Sequence, residues 1–214
     1  MENMSYMAVS RRWASYLRTK TGASQEKEMV LAYVTDIIVI NLLNLSAILL
    51  IGYLLEILPG TITILATLFL FRHTAGGAHS DSPWRCAAIT ISSTTLMSLG
   101  SVYVSKYSQI HINSISLLSL LIGFAAIIIL APVDNPAAPI ISPLRRKKLK
   151  IYSLLVFLLA AATIILLLNS TWQLAKVVQV NLAFCLIWIS FMLTKPGHEL
   201  MNLIDRTFIL KKRR

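Results

Sequence analysis

Long uncharged apolar stretches separated by short polar breaks dominate the chain, near residues 37–55, 57–71, 86–105, 115–132, 151–168 and 177–194. A helix needs about 20 apolar residues to cross roughly 30 Å of hydrocarbon. The pattern therefore predicts an all-α polytopic membrane protein with about six transmembrane helices. The second stretch is the odd one. Only 15 residues separate Glu56 from Arg72, about 22 Å of helix at about 1.5 Å per residue, and Pro59 shortens the regular part further. The chain beyond Arg72 must then enter the inner interface itself, where polar backbone is tolerated only against protein or water. A broken or re-entrant segment is expected between spans two and three.

Ahead of the first span the period changes. Tyr6, Val9, Trp13, Tyr16 and Leu17 recur at helical spacing among arginines, and Gly22 is placed to end the helix. This pattern fits an amphipathic helix lying in the membrane interface. Ser24 is suited to cap a second helix with Glu26 and Glu28 in its first turn, running on into span one, which Asp36 and Glu56 bracket. Three regions follow: an interfacial region over 1–28, a single membrane-embedded domain over 29–194, and a basic cytoplasmic tail over 195–214.

Composition agrees with the pattern: 56% of residues are hydrophobic and 14% charged, far more apolar than a soluble domain. A net charge of +11 would suggest nucleic acid for a soluble chain. Here the position of the charges gives another explanation, and no nucleic-acid partner is expected. With both termini inside, 18 of the 20 lysines and arginines fall on the inner side, and the outer connections hold only Lys106 and Lys176. That is the asymmetry of the positive-inside rule, so a multi-pass cell-membrane protein with cytoplasmic termini is expected. Residues 1–28 carry five basic residues and lack the apolar core of a cleavable signal. The run Arg145, Arg146, Lys147, Lys148 and Lys150 is first an anchor and a contact for anionic lipids, and second a candidate contact for an acidic peptide tail. Lys211, Lys212, Arg213 and Arg214 form a second anchor. Asn41 and Asn44, polar within span one, could pair helices across a homodimer.

The segment from Arg72 to Cys86 gathers His73, Gly76, Gly77, His79, Ser80, Asp81, Ser82, Pro83, Trp84 and Arg85 where membrane proteins economise on polarity. On one straight helix His79 and Cys86 would lie about 10.5 Å apart in rise, too far for proton transfer. The helix must break between them. Gly76 and Gly77 permit the break, and Ser82 with Pro83 supplies a cap and a first helical residue. Cys86 then sits in the first turn of span three, where unpaired N–H groups and Arg85 favour its thiolate. His79 is the candidate base, and spare N–H groups of the cap region are candidate oxyanion donors. A metal site made of His73, His79, Asp81 and Cys86 matches no closed zinc spacing, so neither metal nor cofactor is expected.

Arginine, Gly-Gly, histidine and then a cysteine seven positions on, with Pro132-Val133-Asp134-Asn135-Pro136 downstream, resemble the accessory gene regulator B (AgrB) peptidases over essentially the whole chain. The resemblance implies a membrane cysteine endopeptidase with Cys86 as nucleophile and His79 as its partner. Arg72 and Gly77 stand at positions needed for an intact site. It also implies a substrate: a small amphipathic AgrD-like precursor whose acidic C-terminal tail is removed. The acyl-enzyme is then captured by the precursor's own cysteine as a cyclic thiolactone, a quorum-sensing autoinducer. A homodimer is also implied. The extra histidine, His73, departs from the pattern and leaves the base open.

Plainer readings stand beside these. A lone cysteine at a helix start is ordinarily a small apolar residue, and Cys185, between Phe184 and Leu186, is expected to be packing alone. A third member orienting His79 could be Asp36, Ser80, Asp81 or Asp134, or the site could be a simple dyad. The competing class is a non-enzymatic polytopic peptide exporter or sensor subunit, in which Cys86 would be dispensable.

Overall fold

The computed structural model describes residues 7–80, 82–134 and 139–212, with side chains through residue 207. Tyr6, Asp81, Asn135, Pro136 and the side chains of the terminal basic run lie outside the described residues. Eight helices are described and no strand: α1 (Ala8–Thr21), α2 (Gln25–Leu54), α3 (Leu58–Thr74), α4 (Pro83–Val104), α5 (Gln109–Leu130), α6 (Pro143–Leu167), α7 (Ala175–Met192) and α8 (Lys195–Lys212). Among the described residues five helices, α2, α4, α5, α6 and α7, are long and apolar enough to cross a membrane. The second apolar stretch is α3. At 17 residues it is the short member that the sequence singles out, and Pro59 occupies its first turn.

The chain divides into two compact units, residues 1–47 and 48–214. In the first, α1 ends at Gly22, whose left-handed backbone (φ +66°) returns its N–H to the Arg18 carbonyl. Such a residue at C′ closes a helix. The Met7 N–H at the head of α1 donates to Asp36 Oδ1 at 3.1 Å, and Arg18 pairs with Glu28 at 2.7 Å. Ser24 Oγ accepts from the Lys27 N–H at 3.4 Å, so the expected cap of α2 is present with Glu26 and Glu28 behind it.

The second unit is built around α7, which packs against α3, α4, α5, α6 and α8 and is the most enclosed of the five long apolar helices. Its core joins Ile64, Phe71, Ile127, Phe157, Leu186 and Ile189, with Cys185 fully buried among them. The cysteine's expected packing role is what is seen. Outward faces of α5 and α6 carry exposed leucine and isoleucine such as Leu117, Leu121, Leu158 and Leu159. This suits a chain whose solvent is lipid, because apolar surface facing lipid does not drive helices together. Small residues and polar side chains do that instead. Gly60 lets Asn181 approach so closely that a Cβ there would lie 2.5 Å from its Nδ2. Asn181 Nδ2 donates to Ser101 Oγ at 2.6 Å, and Gln179 Nε2 donates to Ser116 Oγ at 3.0 Å.

The ends of α5 and α6 are tied by a charge. Lys150 Nζ, on the second turn of α6, donates to the carbonyls of Ile127, Ile128 and Ala131 at 2.7, 2.5 and 2.8 Å. The Ile128 carbonyl is one of the orphan acceptors that a helix leaves at its C-terminus, whereas that of Ile127 also accepts from the Ala131 N–H at 3.3 Å.

Candidate functional site

The helix does break between His79 and Cys86. α3 stops at Thr74 with Ala75 as its C-cap, and α4 begins at Pro83. Gly76 and Gly77 between them take positive φ values of +74° and +119°, the region open chiefly to glycine. Both turn residues face backbone closely. A Cβ on Gly76 would lie 2.5 Å from the Val133 carbonyl oxygen, and one on Gly77 would lie 3.3 Å from that of Met192. Two backbone hydrogen bonds stitch the same turn to those segments: the Val133 N–H donates to the Ala75 carbonyl, and the Ala78 N–H donates to the Met192 carbonyl, each at 2.9 Å. The downstream Pro-Val-Asp motif is therefore the wall against which the turn is set.

This turn does not place His79 and Cys86 in a bond of their own. Arg72, on the last turn of α3, bridges them: its Nη2 donates to Cys86 Sγ at 3.1 Å and also to His79 Nδ1. The two reactive atoms therefore lie no farther apart than those two bonds laid end to end. A guanidinium has no acceptor, so His79 Nδ1 must be the accepting nitrogen and the neutral ring carries its proton on Nε2. The ring's pKa is lowered from the usual 6.5 to about 4 by burial first, then by the Arg72 charge, then by His198. At neutral pH His79 is uncharged.

Several expected roles fall elsewhere. Arg85 does not turn to the thiol. Its Nε pairs with Asp205 of α8 at 3.0 Å and its Nη1 donates to the Asp205 carbonyl at 3.2 Å. A buried carboxylate outcompetes a sulfur for a guanidinium, and the cation beside Cys86 is Arg72 instead. Ser82 precedes α4 without a side-chain cap bond; Pro83 still occupies the first helical position, where no N–H is needed. The Cys86 N–H is taken by the Ser82 carbonyl at 2.9 Å. The unladdered N–H groups of this helix start are thus those of Trp84 and Arg85.

Three of the candidates for a third member also have other partners, the fourth, Asp81, lying outside the described residues. Asp36 accepts from Met7, Ser80 donates to Asp205 Oδ1 at 2.5 Å, and Asp134 accepts from the Ile140 N–H at 2.7 Å and pairs with Arg146 at 3.1 Å. His73 folds back onto its own helix, its Nδ1–H donating to the Phe69 carbonyl at 2.7 Å. Arg145, Arg146, Lys147 and Lys148 sit in the first turns of α6, where Ser142 Oγ accepts from the Arg145 N–H. Among the described residues no group of three His, Cys, Asp or Glu is placed to hold a metal ion.

Two residues of the site were not legible in advance, His198 and Asp205, both on α8. With the buried Met201 they recur at helical spacing on one face of that helix. An acidic residue on the buried stripe of a net basic amphipathic helix, whose other carboxylate, Glu199, is exposed, is the signal that marks Asp205.

The fold and this cluster define a multi-pass helical membrane protein with a cysteine, an arginine and a histidine gathered at a helix break. Residues 10–194 match the family of Accessory gene regulator B, and the chain belongs to that family. Family membership carries a role in the accessory gene regulator quorum-sensing system. Two curated relatives span nearly the whole chain. "Putative AgrB-like protein 2" of Clostridium perfringens (strain 13 / Type A) is 27% identical over 203 residues, covering 92% of this chain and 95% of that protein. "Putative AgrB-like protein" of Clostridium perfringens (strain SM101 / Type A) is 27% identical over 211 residues, covering 96% of each. No solved structure matches the chain.

Proposed function

We propose that the chain is a membrane-embedded cysteine endopeptidase that removes the C-terminal tail of a small amphipathic precursor peptide at the cytoplasmic face. The observation that carries this reading is the single guanidinium of Arg72 reaching both Cys86 Sγ and His79 Nδ1. A positive charge beside the sulfur offsets the negative charge that it carries when it attacks. Sγ adds to the scissile carbonyl carbon, and the oxygen that becomes anionic finds donors among the N–H groups at the start of α4. The thiol proton passes to His79 as Sγ attacks, the carbon–nitrogen bond then breaks, the amine leaves with that proton, and the acyl group remains on Cys86 as a thioester.

A histidine held near pH 4 is a weak base but, once charged, a strong acid. Neutral before the reaction, it takes the thiol proton during attack and, once charged, readily gives that proton to the leaving amine. Capture of the thioester by a precursor thiol exchanges one thioester for another and yields a cyclic thiolactone; capture by water yields a linear acid. The basic start of α6 suits an acidic tail and anionic lipids, and a homodimer accords with the family.

The test is Cys86→Ser in the full chain, reconstituted with its precursor, with intact-mass detection of an acyl adduct on the wild-type protein. Loss of tail release in the variant and an adduct on Cys86 are expected. Wild-type release by Cys86→Ser would refute the peptidase reading in favour of an exporter or sensor subunit, for which this cysteine is dispensable.

A further inference from the structure

The two halves of the site lie on either side of a chain break, so something outside the break must hold them in register. The residue following His79 is Ser80, and the residue preceding Cys86 is Arg85. Both converge on one side chain, Asp205 of α8, which is buried to 4% exposure. Ser80 Oγ donates to Asp205 Oδ1 at 2.5 Å, Arg85 Nε pairs with the same carboxylate at 3.0 Å, and Arg85 Nη1 donates to the Asp205 carbonyl at 3.2 Å. These contacts cross 125 and 120 residues of sequence. Ser80 Oγ also accepts from the Ser82 N–H at 3.3 Å, so the loop and the head of α4 share one hydrogen-bonded unit.

We propose that Asp205 is a positioning residue that locks His79 and Cys86 into a single site, gripping the loop through Ser80 and the start of α4 through Arg85. A carboxylate at this depth needs its partners, because an unpaired buried charge is costly. It therefore enforces the approach of Ser80 to Arg85 rather than tolerating it. The same pairing draws the Arg85 guanidinium away from Cys86, which leaves the sulfur to Arg72 alone. The lock rests on the reading of Cys86 and His79 as the reacting pair, but it makes a prediction that needs no substrate. With the lock loosened, Arg72 no longer meets sulfur and imidazole together, and the sulfur becomes a poorer nucleophile.

The experiment follows alkylation of Cys86 by iodoacetamide at neutral pH, in the full-length chain reconstituted in vesicles and carrying Cys185→Ser, so that one thiol reports. Ser80→Ala removes only a hydroxyl from a loop and should fold normally; its alkylation should slow by about threefold to about tenfold, the net worth of one ordinary hydrogen bond. Ser80→Thr, which restores the hydroxyl, should recover most of the rate. Asp205→Asn, which retains acceptors but not charge, should slow alkylation at least as much as Ser80→Ala. The paired Arg85→Leu/Asp205→Leu chain removes the buried ion pair without stranding a charge. It should keep its thermal midpoint while alkylating slowly, a split that a merely structural role would not produce. Wild-type alkylation by Ser80→Ala, or failure of Ser80→Thr to recover the rate, overturns the proposal. Tail release measured on the same samples separates this outcome from failure of the peptidase reading. A chain that alkylates as proposed but releases no tail keeps the lock and loses the peptidase.

Discussion

Gly76→Ala isolates the geometry of the turn from its chemistry, because the substituted residue carries no reacting group. The backbone at Gly76 is left-handed (φ +74°), where a Cβ costs about 1–2 kcal/mol. That Cβ would lie 2.5 Å from the Val133 carbonyl oxygen, whereas ordinary contact begins at 3.4 Å. The turn and the Val133 segment must therefore separate by about 0.9 Å. Both sides are backbone and no flexible side chain can give way, so the hydrogen bond from Val133 to Ala75 is strained or lost, at about 1 kcal/mol. The total is roughly 2–3 kcal/mol.

The larger effect is on rate. His79 is three residues on, and a misplacement of about 1 Å in a catalytic group costs on the order of 10²-fold. Gly22→Ala is the matched control: the same left-handed backbone at φ +66°, with nothing within 4 Å of the added Cβ. It should lower the thermal midpoint and leave the rate within about twofold, as independent sites do. Both chains are assayed for tail release in vesicles and for thermal midpoint in detergent. If Gly76→Ala cleaves at the wild-type rate, or Gly22→Ala loses as much as Gly76→Ala, the turn is not what sets the site.

The remaining expectations concern the charges. Arg72→Lys should slow tail release by about 10²–10³-fold, since a compact ammonium cannot reproduce the placed fork of a guanidinium; a loss of under about tenfold, on the same scale, would deny Arg72 its bridging role. With His79 lowered to about 4, kcat/KM should stay level as pH falls through 6.5 and drop only near 4, and half-loss near 6.5 would contradict the neutral, half-buried ring. Arg72→Met should move that limb upward but not to 6.5, because burial is the larger cause. Stability has the same sign: the folded chain binds fewer protons at His79 than the unfolded chain between about pH 4 and 6.5, so this contribution is intact above 6.5 and fades as pH falls through that window. Lys150→Met, which removes the donor to three carbonyls of the α5 end, should destabilise by about 1–3 kcal/mol, read as a lower midpoint in detergent.

The parts of the site written in local sequence were legible. Gly76 and Gly77 announce a turn because few other residues accept their backbone, and Pro83 announces a helix start because its missing N–H is harmless there. Cys185, flanked by apolar residues in a long apolar run, reads as packing and lies in the core. The pairings were not legible. Arg72 and Arg85 each lie within reach of the thiol along the chain, and local spacing favours Arg85, the immediate neighbour. What reverses the order is Asp205, 120 residues on, whose carboxylate claims Arg85. The tail read as a basic anchor is described through Lys212 as helix α8, and it contributes to the site through His198 and the buried Asp205.

Among the described residues, the segment from Gly76 to Ser80 has no helical ladder of its own, so its shape is borrowed. Ala75 is held by Val133, Ala78 by Met192 and Ser80 by Asp205. Val133 lies between α5 and α6, Met192 ends α7 and Asp205 is on α8. A loop fixed at three points by three remote segments is as rigid as those segments are, which lets a catalytic group sit on a connection without the imprecision of a free loop. The family match stops at residue 194 and so takes in the first two anchors but not the third. If Asp205 acts as proposed, cutting the chain after Thr194 leaves every residue of the Cys86, Arg72 and His79 cluster in place and still disables it. Cutting after Thr207 keeps Asp205 and should keep the site.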